Sequence, residues 1–507
     1  MTDTPIAMLH RHAASRPDAA AFIHRDEVWS YRRFATAVRR LAHGLAARGV
    51  VKGDRVALHM ANLPEMAIAY YACFSLGALA APLNLRFKAA ELTRALERLR
   101  PALFIGQASL YAEVASVPRS VLSPRIRFVA GGPVGDSDVG RWDDLLRGGR
   151  EGPVEVAVDA GEPVALLCTS GTTGEPKFVT HTLASIAATT RLLRHIGLDV
   201  GQVPVVPLPM VHSSGFSTFN ACIGVGATCA LLERFDADAV LDAIERHRGT
   251  WLAAMPFMAA ALIDRQRERP RDVRSLRFAI TAGDVCAPHV QNDFAASFGT
   301  RLGSMWAATE AIGTFTPSPQ PGPATCVTPG GQARLVDETG IVVAPGEVGE
   351  LQVRGPNVTP GYWEGPGLIR DTKSDGWYSS GDLMRQTEDG AYWFVARKKD
   401  LIIRGGSNIA PAEVEGALMS HPAVADAGVA GIPDDVLGER VAGFVRLAEA
   451  TGPVSLDEIY AHVRARLADY KVPERIEVVA EIPRNALGKI NRPALLGMMS
   501  ERIVATA

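Results

Sequence analysis

Residues 169–177 read TSGTTGEPK and follow the apolar run VALLC at 164–168. Two glycines, four hydroxyl side chains, a proline and a lysine crowd into nine positions. Glycine lets a backbone approach a ligand closely and adopt unusual dihedrals. Exposed main-chain NH groups, hydroxyls and a terminal cation together suit a polyphosphate. An ordinary Gly/Thr/Pro turn would share the composition, so the loop alone decides little. It is not the P-loop pattern, which needs GxxxxGK[ST] opening directly into a helix. Here Pro176 is followed by KFVTHT, which alternates like a strand. The unit reads strand–loop–strand, which argues against a kinase or P-loop ATPase.

Around this loop the chain alternates strands and helices. Residues 30–50 (SYRRFATAVRRLAHGLAARGV) carry apolar and basic residues at helical spacing, and Gly49 stands where such a helix stops. DRVALHM then reads as a strand, residues near 65–78 as an apolar helix, and ALAAPLN as another buried strand. The rhythm recurs over 203–285 in TCALLERF (strand), DADAVLDAIERHRG (helix) and TWLAAMP (strand). It predicts a largely parallel sheet covered by helices. After about residue 325 the character changes. GGQARLVDETGIVVAPGEVGELQVRG holds short β-runs broken by Gly and Pro, and EDGAYWFV has an Asp-Gly hairpin cue. Beyond ARKKDLIIRGG come a helix opened by Pro411 and another over about 455–469, with Ser455 and Glu458 at capping-box spacing. The expected fold is therefore α/β. A large N-terminal domain of parallel-rich αβ subdomains, residues 1–397, includes a small antiparallel, β-barrel-like subdomain at about 325–396. A small α+β domain follows at 398–507.

With 507 residues the chain is too long for one core. Its formal net charge of -2 argues against a nucleic-acid partner. The six cysteines (73, 168, 222, 229, 286 and 326) show neither zinc spacing nor a disulfide frame. Two apolar stretches, 67–83 and 215–232, are rich in small residues and barely long enough to span a bilayer; they read as buried helices. The N-terminus lacks the basic-then-apolar pattern of a secretory signal, so the expected location is cytoplasmic.

Further stretches follow in a fixed order: PLPMVHSSGF (207–216), TAGDVCAP (281–288), WAATE (306–310), GELQVRGPNVTPGYW (349–363), WYSSGDL (377–383), ARKKDLIIRGGSNIAPAEVE (396–415) and PRNALGKINR (483–492). With the loop at 169–177 they resemble the motifs of the adenylate-forming superfamily: acyl-CoA synthetases, peptide-synthetase adenylation domains and luciferases. The resemblance covers nearly the whole chain.

That resemblance implies ATP, Mg²⁺ and CoA, and a set of roles. Thr169, Ser170, Gly171, Thr172, Thr173, Gly174 and Lys177 would hold the phosphates. Gly283 and Asp284 would line the adenine, with Trp306 and Ala307 as its stacking surface. Thr309 would join the nucleotide contacts and Glu310 would hold Mg²⁺ on the triphosphate, since an oxygen ligand suits a hard cation. Asp382 would accept both ribose hydroxyls and Arg397 would add a second ribose contact. Lys489 would bridge the substrate carboxylate and the α-phosphate. The small domain would then pivot at Lys399 and present Gly405, Gly406, Ser407 and Asn408 to the pantetheine arm. Lys398, Arg404 and Lys471 would meet CoA phosphates, or simply form a solvated basic face. His212 reads equally as a gate for the substrate carboxylate or as a buried, satisfied histidine. The acyl pocket would draw on His212, Phe216, Phe219, Ala282, Met305, Ala307, Ala308 and Ile312, which are mostly apolar and suit an aliphatic or aryl acid.

These parts answer one electrostatic difficulty. A carboxylate must attack a phosphorus ringed by anionic oxygens, and two like charges about 4 Å apart repel by about 4 kcal/mol at an effective dielectric of about 20. Preorganised cations and NH groups offset that. The expected function is an acyl-CoA synthetase, forming acyl-AMP and pyrophosphate and then acyl-CoA and AMP. Two alternatives stand beside it: an adenylation enzyme loading a carrier protein, and a non-catalytic nucleotide-binding protein. VHSSGF carries no acidic residue to pair with an amino-acid ammonium, which disfavours an aminoacyl substrate. A homodimer is an open possibility for assembly. Four departures from the family pattern bear on selectivity: Phe178 and Ala307 where glycine is common, Trp306 for tyrosine, and Asn485 for threonine.

Overall fold

The computed structural model describes residues 3–147, 149–154, 156–170, 176–319, 321–448, 454–484 and 489–505. Contacts divide the chain into two compact units. The first comprises Met1–Pro321, Thr325–Ala333 and Val353–Ser379; the second comprises Gly322–Ala324, Arg334–Gln352 and Ser380–Ala507.

The first unit contains two large sheets. One has seven strands, six of them parallel, from Leu302–Met305 through Phe278–Ala282, Trp251–Ala254, Pro204–Val206 and Cys229–Leu231 to Ala20–His24; Glu27–Ser30 closes it antiparallel. The other has nine strands. Its parallel part includes Leu79–Pro82, Arg55–His59 and Leu103–Gln107. The alternation read from the sequence produces these parallel strands, because each crossover helix packs back on a sheet face. The two apolar stretches are the buried helices Pro64–Leu76 and Ser213–Val225. Among the described residues no helix is long and apolar enough to cross a membrane.

The two strands that flank residues 171–175 extend the nine-stranded sheet. Pro163–Ser170 pairs antiparallel with Pro176–Thr182, placing Thr169 opposite Lys177 and Ser170 opposite Pro176. Strand alternation then separates two jobs. Phe178 is fully buried and meets the Trp363 ring edge-on at 6.0 Å. It belongs to an apolar cluster with Leu79, Phe104 and Leu166. The bulky residue at the position where the superfamily favours glycine is thus a core anchor, worth about 1.5–3 kcal/mol of burial. Lys177, its neighbour, leaves on the other face.

In the second unit, Asp382–Gln386 of the strand Trp377–Gln386 and the strand Tyr392–Arg397 form the antiparallel hairpin expected around Asp389-Gly390, with Gly390 at φ 83°. A five-stranded sheet includes Val424–Asp434 and Gly438–Leu447, covered by the helices Pro411–Met419 and Leu456–Arg464. The helix Leu456–Arg464 is shorter than the expected 455–469, because Leu467 and Val472 turn back onto the small core. Its cap is one-sided among the described bonds: Ser455 Oγ accepts the Glu458 N–H at 3.2 Å, without a return bond from Glu458.

Gly215 sits where the helix carrying Phe216 crosses its own approach loop. A Cβ there would lie 2.3 Å from the Pro209 carbonyl oxygen and 2.4 Å from that of Leu208. Gly215→Ala is expected to destabilise the first unit by about 1–3 kcal/mol, read as a lowered urea midpoint. An unchanged midpoint would contradict the close approach.

Candidate active site

The loop residues Gly171, Thr172, Thr173 and Gly174 lie outside the described residues, as do Asn485 and Gly488. The strands fix what surrounds them. Because Thr169 and Lys177 face each other in register, the loop between them starts and ends at one place. Strand Tyr362–Gly365 runs antiparallel beside the lysine strand, with Tyr362 opposite Val179 and Trp363 opposite Phe178. That register carries the Tyr362 ring to 5.3 Å from Lys177 Nζ. Its phenol donates to Glu310 Oε1 at 2.7 Å. Burial, followed by the charge of Glu310 and the bond to it, raises the Tyr362 phenol well above its usual range. The phenol therefore stays protonated and keeps donating. One tyrosine thus stands between Lys177 and the carboxylate of the WAATE motif.

Glu310 is held by its main chain as well. The Thr359 N–H donates to the Glu310 carbonyl at 2.7 Å, and Ala311 bridges Val358 antiparallel. Thr359 Oγ1, fully buried, donates to the Thr180 carbonyl at 2.6 Å. Asn357 Nδ2 donates to the Ile312 carbonyl at 3.0 Å and to Thr314 Oγ1 at 2.9 Å. Thr309 Oγ1 donates to Ser213 Oγ at 3.2 Å, joining the motif to the residue after His212. Trp306 packs edge-on against Phe315 at 5.4 Å. Ala307 and Ala308 follow it and are half-buried, as are Gly283 and Asp284 past the end of Phe278–Ala282. Gly283 has φ 91°, the left-handed conformation a tight strand exit needs.

The His212 segment is pinned from below by Asn62, which is 1% exposed. Its amide donates to the Leu208 and Leu232 carbonyls, both at 2.9 Å, and accepts the Met210 N–H at 2.7 Å. Tyr70 OH adds a bond to the Met210 carbonyl at 2.7 Å. Burial and then Arg86 push the His212 imidazole down to about 4. It is therefore neutral at pH 7. Phe216, one turn on, is 1% exposed and packs on Tyr70 at 5.1 Å. It sits in the aromatic core, as does Phe219. Ile312 and Met305 are each 8% exposed.

In the second unit, Asp382 lies directly opposite Arg397 across the hairpin, with Nε and Oδ1 2.9 Å apart. Lys399 occupies the short turn Lys398–Asp400, and Lys398 bonds Glu350 at 3.2 Å. Gly405 and Gly406, at φ 56° and 81°, make the two-residue turn between Ile402–Arg404 and Ser407–Ile409. A hairpin with both central residues at positive φ needs such glycines. Lys471 is committed to Glu413 at 2.8 Å, and Arg404 to Glu474 at 2.9 Å. Lys489 lies in a loop closed by the Arg484–Ile490 bridge.

Sequence reasoning passed over Tyr362, Thr359, Asn62 and His181. Tyr362 and Thr359 stand inside a quoted motif, so their signal was present. Asn62 and His181 act through register and burial, which no local pattern shows. His181 is two strand repeats from Lys177, on the same face. It is 3% exposed, its ring is 6.0 Å from Phe216, and the Thr309 main chain is within hydrogen-bonding reach. Burial pushes its imidazole down to about 4.

The AMP-binding enzyme family matches residues 9–363, and its C-terminal domain matches residues 413–489. The chain belongs to this family. It is 31% identical to indoleacetate–CoA ligase of Aromatoleum aromaticum, over 96% of either chain. It is 31% identical to medium-chain fatty-acid–CoA ligase of Escherichia coli, over 95% of this chain and 88% of the relative. Among solved structures it is similar to an anthranilate CoA ligase in complex with anthranoyl-AMP, with a TM-score of 0.90 at 25% identity, over 98% of this chain and 99% of the other. The protein is an AMP-forming acyl-CoA synthetase, a carboxylate–CoA ligase that uses ATP, Mg²⁺ and CoA. The donor set fits Mg²⁺. Among the described residues no cluster of three His, Cys, Asp or Glu could hold a metal. A lone carboxylate oxygen, complemented by phosphate and water, is how this cation is commonly held with nucleotides.

Two outcomes follow from this geometry. Tyr362→Phe removes a hydrogen bond to a charged group, of the kind worth about 1.5–3 kcal/mol. ATP–pyrophosphate exchange is expected to fall about tenfold or more, with a higher Mg²⁺ requirement; unchanged exchange would remove Tyr362 from the site. His181 and His212 have folded values near 4, below the ordinary 6.5. The unfolded chain therefore takes up protons first as pH drops. Their contribution is present above about pH 6.5 and is lost towards pH 4. Urea midpoints should decline across that window, and a flat profile would contradict the burial.

Proposed function

We propose that the enzyme activates an aryl or medium-length aliphatic carboxylic acid with an uncharged tail. The observation that carries the reading is Tyr362, joined to Glu310 at 2.7 Å and facing Lys177 at 5.3 Å, which sets the two groups expected at the pyrophosphate end of ATP around one ring. With Phe216 packed in the aromatic core, the proposed pocket residues His212, Ala282, Ala307, Ala308 and Ile312 supply no carboxylate or permanent cation. Relatives named for indoleacetate and for medium-chain fatty acids support the same breadth.

In the first step a carboxylate oxygen attacks the α-phosphorus, the bond to the bridging oxygen breaks, and pyrophosphate leaves. Lys177 and the hydroxyls of Thr169, Ser170, Thr172 and Thr173 would steady the departing charge. Glu310 and Thr309 would hold the phosphates with Mg²⁺, which supplies charge neutralisation. Trp306, Ala307, Gly283 and Asp284 would bound the adenine, and Asp382 with Arg397 the ribose. Neutral His212 would stand by the carboxylate without adding charge. Lys489 would approach the carboxylate and the α-phosphate from the small domain. In the second step the CoA sulfur attacks the acyl carbon, the acyl–phosphate oxygen bond breaks, and AMP leaves. We place the domain boundary at 397–398 and the hinge at Lys399, with Gly405, Gly406, Ser407 and Lys471 toward CoA. The nucleotide and CoA substrates favour work in the cytoplasm.

The test is a panel of benzoate, indole-3-acetate and octanoate with ATP, Mg²⁺ and CoA, scored for pyrophosphate and AMP. At least one acid should yield both together with its thioester. Failure of every acid to release AMP and pyrophosphate would end the reading. Lys399→Pro is expected to leave ATP–pyrophosphate exchange within about twofold while thioester formation collapses, because a hinge must absorb a large dihedral change. Unaltered overall turnover would exclude the pivot.

A further inference from the structure

Both ends of the Lys489 loop are tied to the small domain by charge. Arg484 enters the loop and Arg492 leaves it to begin the helix Arg492–Ala505. Arg484 Nη2 donates to both Asp426 oxygens, at 2.8 and 3.0 Å, from the strand Val424–Asp434. Arg492 Nη2 donates to Glu415 Oε1 at 2.8 Å, from the helix Pro411–Met419. Glu415 is 6% exposed, and the same oxygen accepts the Val429 N–H at 3.0 Å. A carboxylate so buried, bonded to a rigid strand and to one arginine, is a fixed post rather than a solvated surface charge. The loop base is closed by the Asn491 N–H donating to the Pro483 carbonyl at 2.8 Å and by the Arg484–Ile490 bridge. Ile482, Ile490 and Leu495 press on Gly428, where a Cβ would come within 2.9 Å of Leu495 and 3.3 Å of Ile482.

We infer that Glu415 and Asp426 are positioning residues for Lys489: through Arg492 and Arg484 they fix the exit and entry of its loop, and so the direction in which its ammonium is offered to the substrate. The inference rests on the assignment of Lys489 to adenylate formation. Each ion pair joins one flank of the Lys489 segment to a different element of the small domain, and Ile482, Ile490 and Leu495 pack the two flanks onto Gly428. A long, flexible lysine reaches a reacting phosphate productively only if its root is held to within a fraction of an ångström. Neither carboxylate needs to touch the substrate.

The experiment uses the full-length enzyme with the panel acid that turns over fastest. Glu415→Gln and Asp426→Asn are made in the native and the Lys489→Ala backgrounds. ATP–pyrophosphate exchange, thioester formation from supplied acyl adenylate, and melting temperature are measured. In the native background, kcat of exchange should fall about tenfold for each substitution. KM for ATP and acid, and the rate from supplied adenylate, should stay within about twofold. In the Lys489→Ala background the same substitutions should add nothing, because a residue acting through Lys489 has no effect once it is gone. Equal losses in both backgrounds, or equal losses in both half-reactions, would overturn the inference in favour of a general structural role. Should Lys489→Ala leave exchange intact, the lysine assignment itself fails and the inference fails with it. Should Lys489→Ala abolish exchange while both carboxylate variants match the native enzyme, only the positioning role fails. If Glu415→Gln proves insoluble, Asp426→Asn, at a partly exposed position, carries the same comparison.

Discussion

The first unit depends on Thr359. Its N–H holds the carbonyl of Glu310, and its hydroxyl holds the carbonyl of Thr180 on the strand that carries Lys177. These bonds are buried, where an unmade partner costs about 1–3 kcal/mol, so the two segments cannot separate without leaving a polar group stranded. Acidic and basic groups of the site arrive from positions more than a hundred residues apart and share one short connecting segment. That segment then turns into the strand of Tyr362, which touches both. Geometry set by backbone bonds needs no reorganisation when charge develops, which is the condition for electrostatic catalysis.

The two units solve different problems. The first builds a rigid wall from parallel strands, and its loops inherit that rigidity. Asn62 illustrates the cost: a buried amide is spent wholly on three main-chain groups to hold the loop before His212. The second unit carries its chemistry on turns: a glycine hairpin at 405–406, a short helical turn at Lys399, and the tethered loop of Lys489. Turns need either glycine or ionic ties to be placed, and both are present.

Much of this was legible in the sequence. Alternating strand and helix patterns foretold the parallel sheets, and the ordered motifs marked the segments that carry Lys177, Glu310 and Tyr362. What stayed hidden was whatever depends on register. Tyr362 sits in a quoted motif, yet nothing local says that it falls opposite Val179 and so beside Lys177. Phe178 looked like a departure near the phosphates, but strand alternation turns it into the core. Phe216 was read as a pocket wall, whereas the structure packs it among Tyr70, Phe74 and His181. Glu415 and Asp426 meet arginines 77 and 58 positions away, a pairing that no local pattern shows.

The period-two strand of Lys177 has a consequence for how this lineage can change. Lys177 and His181 occupy one face while Phe178 and Thr180 occupy the other, so deleting or inserting a single residue between 178 and 181 would swap the faces on one side of the lesion. Either the anchor or the cation would then be lost. The segment can drift by substitution but not by length, and gaps accumulated over time should be confined to the surface turns, such as the Gly131-Gly132 bend, where added side chains meet empty space.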